Sequence, residues 1–199
     1  MLDYPDAPPC IYHGEKLREH RRMAGTGVFF VTKCIHPRVP LLTQKEGGHA
    51  PADIIVDAIC HKAQAKSMRL AAFCVMPDHW HALFAPNVES QDECLSHPVA
   101  GSLRTGQLPA SGLSQTMLRL DTWIARRTNP FLRRHAVAWQ RGYYETRIRS
   151  GKQFHFVCSY IEHNPVRAEI AKAPEHWPWS SAHDAFKDII LRPWPTPIT

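Results

Sequence analysis

The chain has 199 residues, 44% hydrophobic and 21% charged, which suits one globular domain with its own core and excludes disorder, collagen or coiled coil as a global description. Its longest purely apolar run, Leu70–Met76, has seven residues, against the ~20 a membrane helix needs. The acidic, Pro-rich start (MLDYPDAPPC) has neither the basic nor the apolar region of a secretion signal, and the net charge is +6, so a soluble cytoplasmic protein is expected.

Residues 1–24 read as a basic N-terminal arm or tail carrying Lys16, Arg18, Arg21 and Arg22. Gly25–Ile35 is β-branched and aromatic, a strand that Pro37 and Pro40 end. Pro51-Ala52-Asp53 opens a helix with Ile54, Ala58, Ile59 and Ala63 at three- and four-residue steps. Arg69–Met76 reads as a buried strand, Pro77-Asp78 as a turn and His79–Ala85 as the returning strand. The Pro- and Gly-rich stretch 86–112 is the candidate loop or insertion. Leu113, Met117, Leu120 and Ile124 mark the apolar face of a second helix, and a short strand over Tyr143–Ile148 follows. A third helix holds Phe156, Val157, Tyr160 and Ile161, and Pro165 should end or kink it near Asn164.

This order predicts an α+β fold: one antiparallel sheet with helices packed on one face, of ferredoxin-like type. The domain is expected over 25–183, with 184–199 as a Pro-rich tail. Six cysteines (10, 34, 60, 74, 94 and 158) without a C-x-x-C pair read as small core residues in a reducing compartment.

Charge is unevenly spread. From Arg119 to Lys152, nine basic residues face only Asp121 and Glu145, a local +7 that leaves −1 for the rest. Eight of the nine are arginine, the side chain that fits phosphate oxygens bidentately, and Trp123, Trp139, Tyr143 and Tyr144 are interleaved with them. Two readings stand: a single-stranded nucleic-acid surface, or a solvated helix face with snorkelling arginines.

His79-Trp80-His81 lies in a predicted strand, so both imidazoles project from one face and could bind one metal while Trp80 enters the other. Two strand histidines are equally at home as ordinary hydrogen-bonded residues. Tyr160 and Asn164 share a helix face at i and i+4, a potential nucleophile and oxygen ligand, or else a core-edge tyrosine and a helix C-cap.

The segments MPDHWHALF (76–84), WQRGYYETRIR (139–149), SYIEHNPVRAEI (159–170) and HWPWSS (176–181), in this order, resemble the single-tyrosine HUH transposases, and within them the REP-associated tyrosine transposases. The resemblance runs from about Val28 to Ser181, interrupted by 86–112. It implies an HUH-type αβ sandwich in which His79, His81 and Asn164 hold a divalent metal, magnesium or manganese. Tyr160 would attack a single-stranded DNA phosphodiester, leaving a 5′-phosphotyrosine and a free 3′-hydroxyl that can rejoin strands. Arg133, Arg134, Arg141, Arg147, Arg149 and Lys152 would grip the backbone of single-stranded or hairpin DNA, with Tyr143 on unpaired bases.

The resulting expectation is a metal-dependent endonuclease and strand transferase working at hairpins of a repetitive element, as monomer or homodimer. Family members often carry a histidine where this chain has Thr146. The rivals are accordingly a hairpin-binding protein of the same fold that no longer cuts, and a water-using metal-dependent nuclease with Tyr160 incidental. His163 is an alternative ligand about 100° around the helix from Asn164, and Glu162 is expected to be solvated. Trp177 and Trp179 read as packing that pins the C-terminal segment.

Overall fold

The computed structural model describes residues 27–87 and 112–191. The expected N-terminal arm, nearly all of the 86–112 loop and residues 192–199 lie outside them, as do Cys10 and Cys94. Five strands form one antiparallel sheet: β1 (Phe29–His36), β2 (Met68–Val75), β3 (His79–Pro86), β4 (Ala138–Trp139) and β5 (Tyr144–Arg147). Three helices accompany it: α1 (Pro51–Gln64), α2 (Gly112–Arg134) and α3 (Gly151–Arg167). The sheet order is β2-β3-β1, and the far edge of β1 is shared by β4, opposite Ile35 and His36, and β5, opposite Phe29–Thr32.

The α+β class and the antiparallel sheet are as expected, but helices cover both faces rather than one. Strand alternation explains why. Phe29, Val31, Ile35, Trp80, Ala82 and Phe84 point to one side, where they pack with Ile55 and Ile59 of α1 and Met117, Leu120 and Ile124 of α2. Phe30, Ala72, Cys74 and Leu83 point to the other, where Phe154, Val157 and Ile161 of α3 cover them. These strands are apolar on both sides, the pattern of a sheet buried twice. A bulge between Leu70 and Ala72 keeps β2 in phase, so that Leu70, Phe73 and Val75 all reach the α1–α2 side.

Local sequence accounts for the helix boundaries. Pro51 occupies the first turn of α1, and the Asp53 carboxylate accepts the Ala50 N–H at 2.8 Å. The Ser150 hydroxyl caps α3 by accepting the Gln153 N–H at 3.2 Å. Pro165 does not end α3, which runs to Arg167: a proline in the last turn costs one hydrogen bond, and the Ala168 N–H closes the turn on the Asn164 carbonyl at 3.0 Å. Phe156 leaves the expected apolar face and is 44% exposed, because Phe154, Val157, Cys158 and Ile161 already fill the α3 interface.

The W-P-W-S-S segment shields the outer edge of β2, which would otherwise offer unpaired backbone groups. The Val75 N–H donates to the Trp179 carbonyl at 2.9 Å, the Ser181 N–H to the Phe73 carbonyl at 2.9 Å, and the Trp177 indole to the Val75 carbonyl at 2.9 Å. Trp179 donates to Asp53 at 2.7 Å, so both tryptophans pack and pin. Glu162 is not free in solvent: it accepts the Ser181 hydroxyl at 2.8 Å and ties α3 to this strap. The folded unit also extends past 183, since the Phe186 ring meets Phe73 at 5.1 Å and the Leu191 N–H donates to the Leu70 carbonyl at 3.0 Å. Cys34, Cys60, Cys74 and Cys158 are buried and form no disulfide among the described residues, and no helix among the described residues is long and apolar enough to cross a membrane.

Candidate functional site

The turn at Pro77-Asp78 starts β3 immediately with His79, and alternation sends His79 and His81 to the α3 side while Trp80 is wholly buried on the other. The two Nε2 atoms stand 3.0 Å apart. That is the spacing of neighbouring nitrogen donors on one divalent ion at metal–nitrogen distances of about 2.1 Å. Both rings are oriented through their other nitrogen. His79 Nδ1 meets the Asp78 carboxylate, and His81 Nδ1 lies 2.8 Å from the Thr32 hydroxyl, directly opposite on β1. A carboxylate or hydroxyl behind each imidazole is the outer shell that fixes a metal-ligating histidine.

Electrostatics favour the ligand form. Burial, reinforced by the nearby His79 and Arg38, pushes the His81 imidazole well below its ordinary range and keeps it neutral. For Asp78, burial would raise the carboxyl, but hydrogen bonds from His79 and Arg38 outweigh it and hold the group ionised far below the usual carboxylate range. Arg38 donates from Nε to Asp78 at 2.6 Å, and its Nη2 lies 3.0 Å from His79 Nδ1.

Helix α3 brings Tyr160 across this face. Its ring centroid is 5.8 Å from that of His81 and 6.0 Å, edge-on, from that of Phe30, and the Arg167 guanidinium lies 5.4 Å from its centre. Asn164 follows one turn later, but its amide N–H donates back to the Tyr160 carbonyl at 3.4 Å. The described residues hold no group of three His, Cys, Asp or Glu side chains able to bind a metal. The His163 ring is engaged 2.9 Å from the Ser159 carbonyl of its own helix. Thr146 sits opposite Phe30 on β5 and shares the histidine side of the sheet.

The arginine-rich segment divides. Arg133 and Arg134 are exposed in the last turn of α2, on the far face of the sheet, with Arg134 paired to Glu46 at 2.6 Å. Arg141 is exposed in the bend between β4 and β5, and Arg147, Arg149 and Lys152 are exposed from β5 to the first turn of α3. Tyr143 is corrected: it is only 9% exposed and belongs to the α1–α2 core, so its ring cannot stack on a base. Sequence reasoning missed Arg38, Asp78 and Thr32. An acidic residue beside a strand histidine was a visible signal for Asp78, whereas Thr32 emerges only from the register of β1 on β3.

With this geometry in view, three similarities stand out. A protein of Haemophilus influenzae without a characterised function is 30% identical over 102 residues, 50% of this chain and 55% of that one. A second protein of that organism, provisionally described as a REP-associated tyrosine transposase, is 27% identical over 124 residues, 62% of this chain and 64% of that one. The chain thus spans just over half to just under two thirds of the curated relatives it matches. A solved REP-associated tyrosine transposase bound to a REP hairpin has the same fold, with a TM-score of 0.55 and 19% identity over 100% of this chain and 94% of that one. No protein-family model matches the chain.

Proposed function

We propose, from this kinship in sequence and fold with the REP-associated tyrosine transposases, that the protein nicks and rejoins single-stranded DNA at hairpins of a repetitive element. It would act as a soluble cytoplasmic protein on chromosomal DNA. The observation that supports chemistry rather than fold alone is the contact of the Tyr160 ring with His81, whose Nε2 converges with that of His79. In this reading His79 and His81 present neutral nitrogen donors to magnesium or manganese, with Asn164 as the oxygen donor. The ion would supply positive charge to a phosphodiester becoming more negative in the transition state. Asp78 and Thr32 hold the two rings in place. The Tyr160 hydroxyl loses its proton and its oxygen bonds to phosphorus. The bond from phosphorus to the 3′-oxygen breaks, and that oxygen leaves as a hydroxyl after taking up a proton. The result is a 5′-phosphotyrosine whose bond energy is retained, so a 3′-hydroxyl can reverse the step without a nucleotide cofactor.

A binding-only protein of the same fold is the second reading, and Thr146, which puts no imidazole at its place on the histidine side of the sheet, favours it. A nicking assay separates the two. Labelled hairpins with single-stranded flanks are incubated with protein and manganese or with EDTA. Cleavage that requires the metal and is lost in His81→Ala is expected. Hairpin binding without cleavage under any divalent metal selects the binding-only reading.

A further inference from the structure

We infer that Arg38 is a phosphate-binding catalytic residue, gripping a non-bridging oxygen of the phosphodiester at the histidine pair; this rests on the reading of that site as a phosphodiester site. The loop carrying Arg38 is fastened to the β2–β3 turn on both sides. The Ile35 N–H donates to the Asp78 carbonyl at 3.1 Å, and the Leu42 N–H to the Pro77 carbonyl at 2.7 Å. The guanidinium is therefore held to the turn that launches His79, with no reorganisation required when charge develops nearby.

Its donors are unequally used. Nε is spent on Asp78 at 2.6 Å. Nη2 lies 3.0 Å from His79 Nδ1, and no described residue takes up Nη1. The Nη edge thus stands beside the metal-type ligand His79 with donor capacity left over, on a side chain that is 49% exposed. A buried cation on β1, the strand before this loop, makes the contrast: Lys33, 8% exposed, satisfies all three donors on Asp121, Gln140 and Gly142 at 2.8–3.2 Å. One cation locks the sheet to α2, while the other presents a planar fork to solvent, the geometry that suits a phosphate. Arg38 and Asp78 form one ion pair, which adds no net negative charge to repel a phosphodiester.

The probe is a small phosphodiester, thymidine 5′-(4-nitrophenyl phosphate), titrated by calorimetry in magnesium into full-length Tyr160→Phe protein, with and without Arg38→Gln. Manganese affinity is measured in parallel by EPR. Arg38→Gln should weaken phosphodiester binding at least tenfold while changing manganese affinity less than about threefold, and Arg38→Lys, which keeps the charge, should recover part of the loss. Circular dichroism establishes that each variant is folded, and Arg38→Lys serves as the folded comparison if Arg38→Gln is not. Unchanged phosphodiester affinity overturns the inference. So does a loss that merely tracks the loss of manganese, which would make Arg38 a support for Asp78, and so does protein with Arg38 intact that binds no phosphodiester. Arg38-dependent binding in a protein that forms no Tyr160 adduct would leave this inference standing and defeat the phosphotyrosine reading.

Discussion

Trp80 and its flanking histidines occupy consecutive positions on β3, and only the thickness of the sheet separates their environments. On the Trp80 side two helices close a dry core of aliphatic and aromatic side chains. On the histidine side a single helix, α3, covers the sheet, and its packing stops where Tyr160 is half-buried and Arg38 and Asp78 meet solvent. The same alternation that builds a core on one face sets two imidazoles side by side on the other. The sealed core and the histidine pair are therefore carried by neighbouring residues yet are physically separable.

The largest effect should come from breaking the sealed side. Trp80→Ala empties a fully buried site and is expected to cost about 3–5 kcal/mol in urea denaturation. His79→Ala, at the partly open end of the other face, should cost much less. Equal losses would mean the two faces are not mechanically distinct. Next is the support behind the histidines. Asp78→Asn should leave the fold intact and weaken manganese binding about 10–100-fold in an EPR titration, because His79 loses the carboxylate that fixes its tautomer. Smallest is the basic rim. Arg134→Ala breaks an exposed ion pair with Glu46, worth no more than about 1 kcal/mol of stability. If Arg134 contacts a DNA phosphate, the same change lowers the slope of log affinity against log salt for a hairpin by roughly 0.7–0.9. Tyr143→Phe should leave that slope and the affinity unchanged, since the ring is buried.

Much of this contrast was legible in the chain. H-W-H in a strand announces two side chains on one face and an indole on the other, and the i, i+4 relation of Tyr160 and Asn164 sets them on one side of a helix. The number of covered faces was not legible. Val28–Ile35 is apolar at nearly every position, which says that both sides are buried but not which helix buries each. Tyr143 and Arg141 are two residues apart in one basic, aromatic stretch, yet one is core and the other surface, because Arg141 lies in the bend after β4 while Tyr143, just before β5, packs into the α1–α2 core. Arg38 had no local signature: it joins the site through backbone hydrogen bonds that link its loop to a turn some forty positions later.

If Tyr160 is the nucleophile served by the histidine pair, its covalent intermediate with DNA is visible by denaturing gel electrophoresis. Hairpins with labelled single-stranded flanks, taken from DNA beside the protein's own gene, are incubated with protein and manganese. A band of protein covalently joined to the labelled strand, absent with EDTA and absent in Tyr160→Phe, is the predicted result. Metal-dependent cleavage that persists undiminished in Tyr160→Phe with no covalent band would contradict it.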